Sequence, residues 1–315
     1  SIGLVAQTDQ PLTQDQLLER ADYALYNAKA HHRGTAVLFS TEHESAIRIQ
    51  ILTEQQLRQV DFASEMTVQF QPIVDVGRNK IVAYEALARW QSPVLGSVKP
   101  IHFIPAAERM GLINQLTEVL FAKALAALKT WPDEIDLSFN LSVRDIASGD
   151  LLARLAQMLE TTGVSAKRII FEITETALMH DFEQGRDRLL GLKALGAKIA
   201  LDDFGTGYSS LHYVHRLPLD KIKIDREFVA GVATDQASRD IVRSILDLCR
   251  NLKITCVVEG VETAEQVIVL RSLGCTTMQG YFFGGAVSNV ALVHTSGASE
   301  WAAAPVRLKG RPVSA

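Results

Sequence analysis

The chain alternates between short apolar runs and longer amphipathic segments, and this alternation begins near Val68. The runs are rich in Val and Ile, as expected for buried parallel strands, and the segments between them carry apolar residues at helical spacing, as in 114–129 and 238–252. Around eight strand candidates can be counted when 68–74 and 276–281 are included. Repeated strand–helix units of this size predict an α/β fold, a TIM-like (β/α)8 barrel.

Polar residues follow nearly every apolar run. Five runs lead directly into a carboxylate or an amide and a sixth ends at a lysine; these residues are Glu85, Asn140, Glu172, Asp202 with Asp203, Glu259 and, in the sixth run, Lys223. The carboxyl ends of barrel strands form one mouth, so we expect these side chains to converge there. Polar residues at nearly every strand end, rather than at a single switch point, favour a closed barrel over an open doubly wound sheet.

The predicted set offers only oxygen donors to a cation. Mixed carboxylate and amide ligands suit Mg²⁺ or Mn²⁺, whereas zinc would prefer His or Cys. The predicted ligands carry five formal negative charges, more than a protein usually supplies to a single Mg²⁺. Two ions that share Asp202 would balance this charge better. Two-metal sites serve in-line displacement at phosphorus. A single acid at a strand end is more often a helix cap or a salt-bridge partner, but that interpretation fits six successive strand ends poorly.

Further polar residues are predicted beside the acids. Lys223 can hydrogen-bond an attacking hydroxide and offset phosphate charge, whereas a role as general base would need a lowered pKa, which nearby carboxylates oppose. Arg89, four residues after Glu85, is positioned to clamp a phosphate oxygen. Gln71 and Gln279 are amides on strand-like runs that face the same mouth, where they suit recognition of a base or a phosphate.

Composition restricts the class of protein. The 315 residues carry a formal net charge of −4, so there is no general electrostatic reason to expect binding to duplex nucleic acid. No apolar stretch approaches the length of a membrane span. The three cysteines have neither metal nor redox spacing, which fits a reducing, cytoplasmic compartment. The chain starts at Ser1 rather than Met, which suggests a piece of a longer protein whose missing N-terminal regions could anchor it to a membrane.

The pattern also predicts a domain order. Residues 1–40 read as strand, helix and strand, too few to bury a core alone. Residues 41–61 are predicted to form a connecting helix, and residues 62–290 are predicted to form the barrel. Residues 291–315 are expected to form a weakly ordered tail, because 302–315 is rich in Ala, Pro and Gly.

The barrel segment resembles the EAL family of bacterial cyclic-di-GMP phosphodiesterases over about residues 54–288. The motifs that carry the resemblance are Phe70-Gln71-Pro72-Ile73-Val74, Glu85-Ala86-Leu87-Ala88-Arg89-Trp90, Phe139-Asn140-Leu141-Ser142, Phe171-Glu172-Ile173-Thr174-Glu175, Asp202-Asp203-Phe204-Gly205-Thr206-Gly207, Lys223-Ile224-Asp225, Glu259-Gly260-Val261-Glu262 and Gln279-Gly280-Tyr281. Each motif alone is weak, but the ordered set is highly specific. The family usually has a proline shortly after the last motif, and its absence from 282–286 bears on the final closure of the barrel.

The resemblance implies a TIM-like barrel with one antiparallel strand and hydrolysis of cyclic-di-GMP to linear 5′-pGpG with Mg²⁺ or Mn²⁺. It implies metal ligation by Glu85, Asn140, Glu172, Asp202, Asp203 and Glu259, catalysis by Lys223 with Glu85, Glu259 and Asp203, and substrate contacts from Gln71, Leu87, Arg89 and Gln279. Glu175 would steady the loop at 203–207, near which family members commonly form homodimers. Glu262 matches a retained family acid, to which we assign no role.

Residues 21–29 resemble the closing helix of a GGDEF diguanylate cyclase domain, although the cyclase signature itself is absent. The resemblance implies a parent protein with both domains in tandem. Two alternatives to a phosphodiesterase remain: a cyclic-di-GMP receptor module that binds without cleaving, and a barrel hydrolase for another phosphodiester. Receptors of this kind usually lack several of the acids, and this sequence lacks none of them.

Overall fold

The computed structural model describes residues 1–6, 12–31, 33–175, 181–205 and 214–288. Their strands are β1 Ile2–Leu4, β2 Ala36–Leu38, β3 Met66–Asp75, β4 Lys80–Ser92, β5 Gly96–Val98, β6 Asp136–Asn140, β7 Ile169–Thr174, β8 Lys198–Phe204, β9 Lys221–Ile224, β10 Thr255–Val258 and β11 Thr277–Gln279. The helices are α1 Gln14–His31, α2 Thr41–Leu57, α3 Phe62–Glu65, α4 Pro100–Arg109, α5 Ile113–Leu128, α6 Val143–Ala147, α7 Leu151–Thr162, α8 Phe182–Ala194, α9 Arg226–Ala230, α10 Gln236–Leu252 and α11 Ala264–Ser272, with a 3₁₀ turn at Ala166–Arg168. None of the helices described is long and apolar enough to cross a membrane.

The chain divides into two compact units, one of Ser1–Val60 with Ser92–Met110 and one of Asp61–Gln91 with Gly111–Ala315. In the first, β1 and β2 pair in parallel. Helix α1 packs so closely on β1 that only glycine fits at Gly3, where a Cβ would lie 2.2 Å from the carbonyl oxygen of Ala21. Helices α2 and α4 are joined by an ion pair in which Arg109 Nη2 lies 2.7 Å from Glu54 Oε1.

The second unit contains a closed eight-stranded barrel. Its strands follow the order β3-β11-β10-β9-β8-β7-β6-β4, and pairing of β4 with β3 closes the ring. Strand β3 runs antiparallel to both of its neighbours, while the other neighbouring pairs are parallel. The predicted TIM-like barrel with one antiparallel strand is therefore confirmed. Closure needs no proline after Tyr281, because β11 pairs with β3 and Val287 forms a further bridge to Phe70.

The strands extend further than the apolar runs indicated. Strand β4 continues from Glu85 to Ser92, since β3 supplies ladder partners as far as the Met66–Trp90 pair. Glu172 and Asp202 likewise lie inside β7 and β8. The expectation that these acids follow the ends of their strands was wrong, because a polar side chain inside the barrel does not interrupt backbone pairing.

Side-chain alternation explains how the acids come to face inwards. An apolar cluster of Ile73, Ala83, Ile170, Ala200 and Val257 fills one level of the barrel. Successive side chains of a strand point to opposite faces, so the residues two positions later on the parallel strands form the next inward level. Those residues are Glu85, Glu172, Asp202 and Glu259. Each acid thus stands directly above an apolar residue of its own strand.

The outer helices match the apolar spacing, and several ends carry the predicted caps. Thr263 and Gln266 form the capping box that opens α11. Helix α7 ends at Thr162 and is followed by the C-cap residue Gly163, which has a left-handed φ of 70°. A Cβ at Gly163 would meet no atom within 4 Å, so only the backbone conformation requires glycine there.

We therefore expect Gly163→Ala to lower the free energy of unfolding by about 1 kcal/mol, the cost of the left-handed conformation for a residue with a Cβ. Urea unfolding should give a lower midpoint with an unchanged m-value. Gly163→Asn is the control and should lose less, since asparagine tolerates this conformation. Equal midpoints for wild type and Gly163→Ala would contradict the assignment.

Candidate functional site

Lys223 lies at the centre of the acids in the barrel mouth. Its side chain, on β9, is 2% exposed. The distances from Lys223 Nζ are 2.5 Å to Glu259 Oε1, 2.8 Å to Glu172 Oε2, 3.2 Å to Asp202 Oδ1 and 3.7 Å to Glu85 Oε2. One buried ammonium group therefore contacts carboxylates on β4, β7 and β8 and on the residue that follows β10.

This ammonium group stays charged. Burial alone would lower the pKa of Lys223, but the surrounding carboxylates outweigh burial and raise that pKa well above its usual value. The charge is not enough for all four acids. Asp202 Oδ1 and Glu259 Oε1 are buried and make no hydrogen bond of good geometry, although each lies at ion-pair distance from Lys223.

The shortage of positive charge appears in the pKa values of the acids. Burial, together with the charges of Asp202 and Glu85, raises the pKa of Glu259 to about 8 even though Lys223 opposes this. Burial and the neighbouring acids also raise the pKa of Glu172 well above its usual value. Glu85 differs: burial would raise its pKa, but Lys223 and two amide hydrogen bonds lower it overall.

Amides and a hydroxyl hold the acids in place. Asn140 Nδ2 donates to Glu85 Oε1 at 2.8 Å, and Gln279 Nε2 donates to Glu85 Oε2 at 2.6 Å. Gln279 Nε2 also lies 3.3 Å from Gln71 Oε1. Ser138 Oγ donates to Glu172 Oε1 at 2.5 Å. Ser138 was missed from the sequence, although its place two residues before Asn140 puts it on the same face of β6.

The carboxylates of Asp202, Asp203 and Glu259 form a cluster that could hold a cation, with one ligand atom from each lying within 4.8 Å of the others. Consecutive strand residues normally point to opposite faces. Here the ladder between β8 and β9 shifts register between Leu201 and Phe204, and Asp203 takes a positive φ of 52°. This irregularity brings two adjacent acids to one side.

Asp203 is exposed at the mouth, yet partial desolvation and the charges of Asp202 and Asp225 raise its pKa to about 6. Its carboxyl group also forms a hydrogen bond with that of Asp225, the N-cap of α9. Asp225 is the last residue of the Lys223-Ile224-Asp225 motif, but we assigned it no role from the sequence.

The remaining predicted residues lie around this centre. Leu87 and Arg89 follow Glu85 at alternate positions of β4, and Arg89 Nε donates to Gln69 Oε1 at 2.8 Å rather than to the acids. Glu175 Oε1 accepts a hydrogen bond from Gly205 N at 3.1 Å. Glu262 is exposed after β10. Gly207, predicted in the loop beside the metals, falls outside the described residues.

The family model described as the EAL domain matches residues 54–286. The cyclic di-GMP phosphodiesterase NbdA of Pseudomonas aeruginosa is 32% identical over 309 residues, which cover 97% of this chain and 40% of NbdA. The chain spans about a third to a half of the length of the curated relatives it matches.

Two solved structures are also similar. The PaMucR phosphodiesterase in complex with c-di-GMP shares 35% identity at a TM-score of 0.72, covering 76% of this chain and 99% of that one. Klebsiella pneumoniae BlrP1 in complex with manganese and cyclic di-GMP shares 31% identity at a TM-score of 0.64, covering 71% and 56%.

Replacing the central ammonium tests the charge balance. We expect Lys223→Met to lose about 3 kcal/mol of stability at pH 8, because four carboxylates, three of them on buried residues, remain without their cation. The loss should shrink as the pH falls towards 5, since acids whose pKa is raised by folding take up protons in the folded state and favour it. Chemical denaturation at both pH values measures this.

The control for that experiment is Lys198→Met, which breaks a partly exposed pair between Lys198 on β8 and Asp136 on β6, the two strands that flank β7, and should cost less than about 1 kcal/mol. A Lys223→Met variant that is no less stable than this control at pH 8 would show that the ammonium does not hold the acids together.

Divalent cations should bind more tightly at pH 8 than at pH 6. With pKa values of about 8 for Glu259 and about 6 for Asp203, a cation must displace a proton at the lower pH. We expect an affinity for Mn²⁺ at least about tenfold weaker at pH 6, measured by calorimetry. Asp202→Asn should lose most of the binding. Equal affinities at the two pH values would exclude these carboxyl groups as ligands.

Proposed function

The chain belongs to the EAL domain family, and on that premise we propose that it is a metal-dependent phosphodiesterase that hydrolyses cyclic-di-GMP to linear 5′-pGpG. The observation that carries the proposal is the group of four carboxylates around the buried Lys223, which one ammonium group cannot neutralise. NbdA and PaMucR, named as phosphodiesterases, support the choice of reaction and substrate.

The residues present fit a pair of hard cations, Mg²⁺ or Mn²⁺. The proposed ligands are Glu85, Asn140, Glu172, Asp202, Asp203 and Glu259, all oxygen donors. The raised pKa of Glu259, about 8, and the pKa of Glu172, raised well above its usual value, both indicate unmet demand for positive charge. When bound, such ions supply an activated water and stabilise the leaving oxygen of an in-line displacement at phosphorus.

We assign Lys223 an electrostatic role. Its raised pKa keeps it protonated, so it cannot accept a proton from water as a general base. A protonated ammonium group can donate a hydrogen bond to the attacking oxygen and offset charge that develops on the phosphate. Glu85, Glu259 and Asp203 complete the catalytic group, in which they would hold the cations.

Substrate contacts come from the wall above the acids. Gln279 donates a hydrogen bond to Glu85 and also contacts Gln71. Both amides are therefore held beside the acids, where they can orient the substrate. Leu87 and Arg89 lie further along β4, where the forked donors of Arg89 suit a phosphate oxygen. The bond from Gly205 N to Glu175 supports a steadying role for Glu175 at the start of the loop.

We also propose a wider setting for this domain. Residues 1–40 would be the end of a GGDEF-like domain, 41–61 a linker helix, 62–290 the phosphodiesterase barrel and 291–315 a tail. The MucR relative, named a bifunctional diguanylate cyclase and cyclic di-GMP phosphodiesterase, supports a tandem arrangement. The active form would be a cytoplasmic homodimer that acts in second-messenger signalling.

The test is incubation of the purified chain with cyclic-di-GMP and Mg²⁺ or Mn²⁺, with products followed by chromatography. We expect linear pGpG from the wild type and at least about a hundredfold lower turnover from Glu85→Gln, which keeps the shape of the side chain but removes its charge.

Glu160→Gln, an exposed change on α7, is the matched control and should behave as the wild type. Tight binding of cyclic-di-GMP without any product would contradict the proposed reaction and favour the receptor module. Absence of both binding and product would point to another phosphodiester.

A further inference from the structure

Tyr281 belongs to a motif at the end of the barrel, yet the proposed mechanism gives it no role. Tyr281 is 75% exposed, whereas Leu190, an exposed residue on α8 of the same unit, is 45% exposed. Single exposed apolar residues are common on protein surfaces, so exposure alone carries no function. The position of this ring is more informative.

The ring stands at the rim of the mouth that holds the acids. Tyr281 comes two residues after Gln279, the last residue of β11, and Gln279 Nε2 donates to Glu85 at 2.6 Å. The carboxyl ends of the parallel strands, where Asn140 and Glu259 lie, form the same rim.

A rigid turn presents the ring there. Phe282 N donates to Val261 O at 3.0 Å, and Val261 N donates to Gln279 O at 3.0 Å. Only glycine fits between the motif's other two residues, because a Cβ at Gly280 would lie 2.1 Å from Val261 O. The backbone on the N-terminal side of the ring therefore has little freedom to move.

The same turn is tied to the proposed substrate residues. Gln71 Nε2 donates to Gly284 O at 3.3 Å, and Gln71 in turn contacts Gln279. The next residue, Gly285, lies beside the ring, since a Cβ there would be 3.7 Å from Tyr281 Cε1. A continuous set of contacts thus runs from Glu85 to the turn that carries the exposed ring.

We propose that Tyr281 is a binding residue that stacks on a purine base of the cyclic dinucleotide. The proposal rests on the function proposed above. The two bases of a cyclic dinucleotide project outwards from its ring of sugars and phosphates. A phosphodiester bound over the acids therefore brings a base to the rim of the mouth. An aromatic ring in a fixed orientation binds such a base by stacking, with little loss of conformational freedom.

The experiment compares wild type, Tyr281→Ala, Tyr281→Phe and Leu190→Ala. Turnover of cyclic-di-GMP is measured with Mn²⁺, and its binding is measured by calorimetry with Ca²⁺ in place of Mn²⁺. We expect Tyr281→Ala to raise KM and Kd by about tenfold with kcat within about twofold, because a base contact acts equally in the ground and transition states. Tyr281→Phe and Leu190→Ala should match the wild type. Melting temperatures should agree across the series, since both sites are exposed.

Three outcomes would overturn the inference alone: unchanged KM and Kd in Tyr281→Ala, an equal loss in Tyr281→Phe, or a fall in kcat with KM unchanged. In each of these cases the proposed function stands if the wild-type protein turns over cyclic-di-GMP. If the wild type binds without turnover, the Kd series still decides the role of Tyr281. If the wild type neither binds nor cleaves cyclic-di-GMP, the proposed function fails and the inference fails with it.

Discussion

The contact of one buried ammonium group with four carboxylates is the interaction on which the barrel mouth depends. Without Lys223, acids from β4, β7, β8 and β10 would face each other at close range in a medium that screens charge poorly. One positive charge holds them together but does not neutralise them. The fold is thus stable enough to assemble the acids and still short of the charge that cations can supply.

The antiparallel strand β3 gives the mouth an uneven wall. A parallel neighbour would pair with β4 only a short way beyond Glu85. Strand β6 is parallel to β4, and its ladder with β4 ends at the pair of Ala86 with Phe139. Strand β3 instead pairs with β4 up to Trp90 and lifts this side of the barrel above the acids. The same strand contributes Gln71 directly opposite Glu85 in the ladder. One reversed strand therefore builds both a raised side and its connection to the charged centre.

Sequence patterns predicted the barrel, the acids and the role of charge, because apolar runs and residue types are local properties. They placed Asn140 and Glu259 correctly at strand ends, where backbone pairing stops. They failed for Glu85, since the length of β4 is set by its distant partner β3 and not by its own residues. Ser138 was not predicted because its role depends on a hydrogen bond to Glu172 on the neighbouring strand, which the residue type alone does not indicate.

The pair Asp202 and Asp203 shows most clearly what a strand pattern cannot predict. In a regular strand these neighbours would face opposite sides, and Asp203 would point away from Glu259. The register shift and the left-handed φ of 52° at Asp203 bring both carboxylates together, in a conformation that aspartate tolerates better than most residues. Such local strain persists where the surrounding structure enforces it. Here the ladder on one side and the bond from Gly205 to Glu175 on the other hold the irregular segment, so the geometry of the acid cluster depends on the start of the adjoining loop.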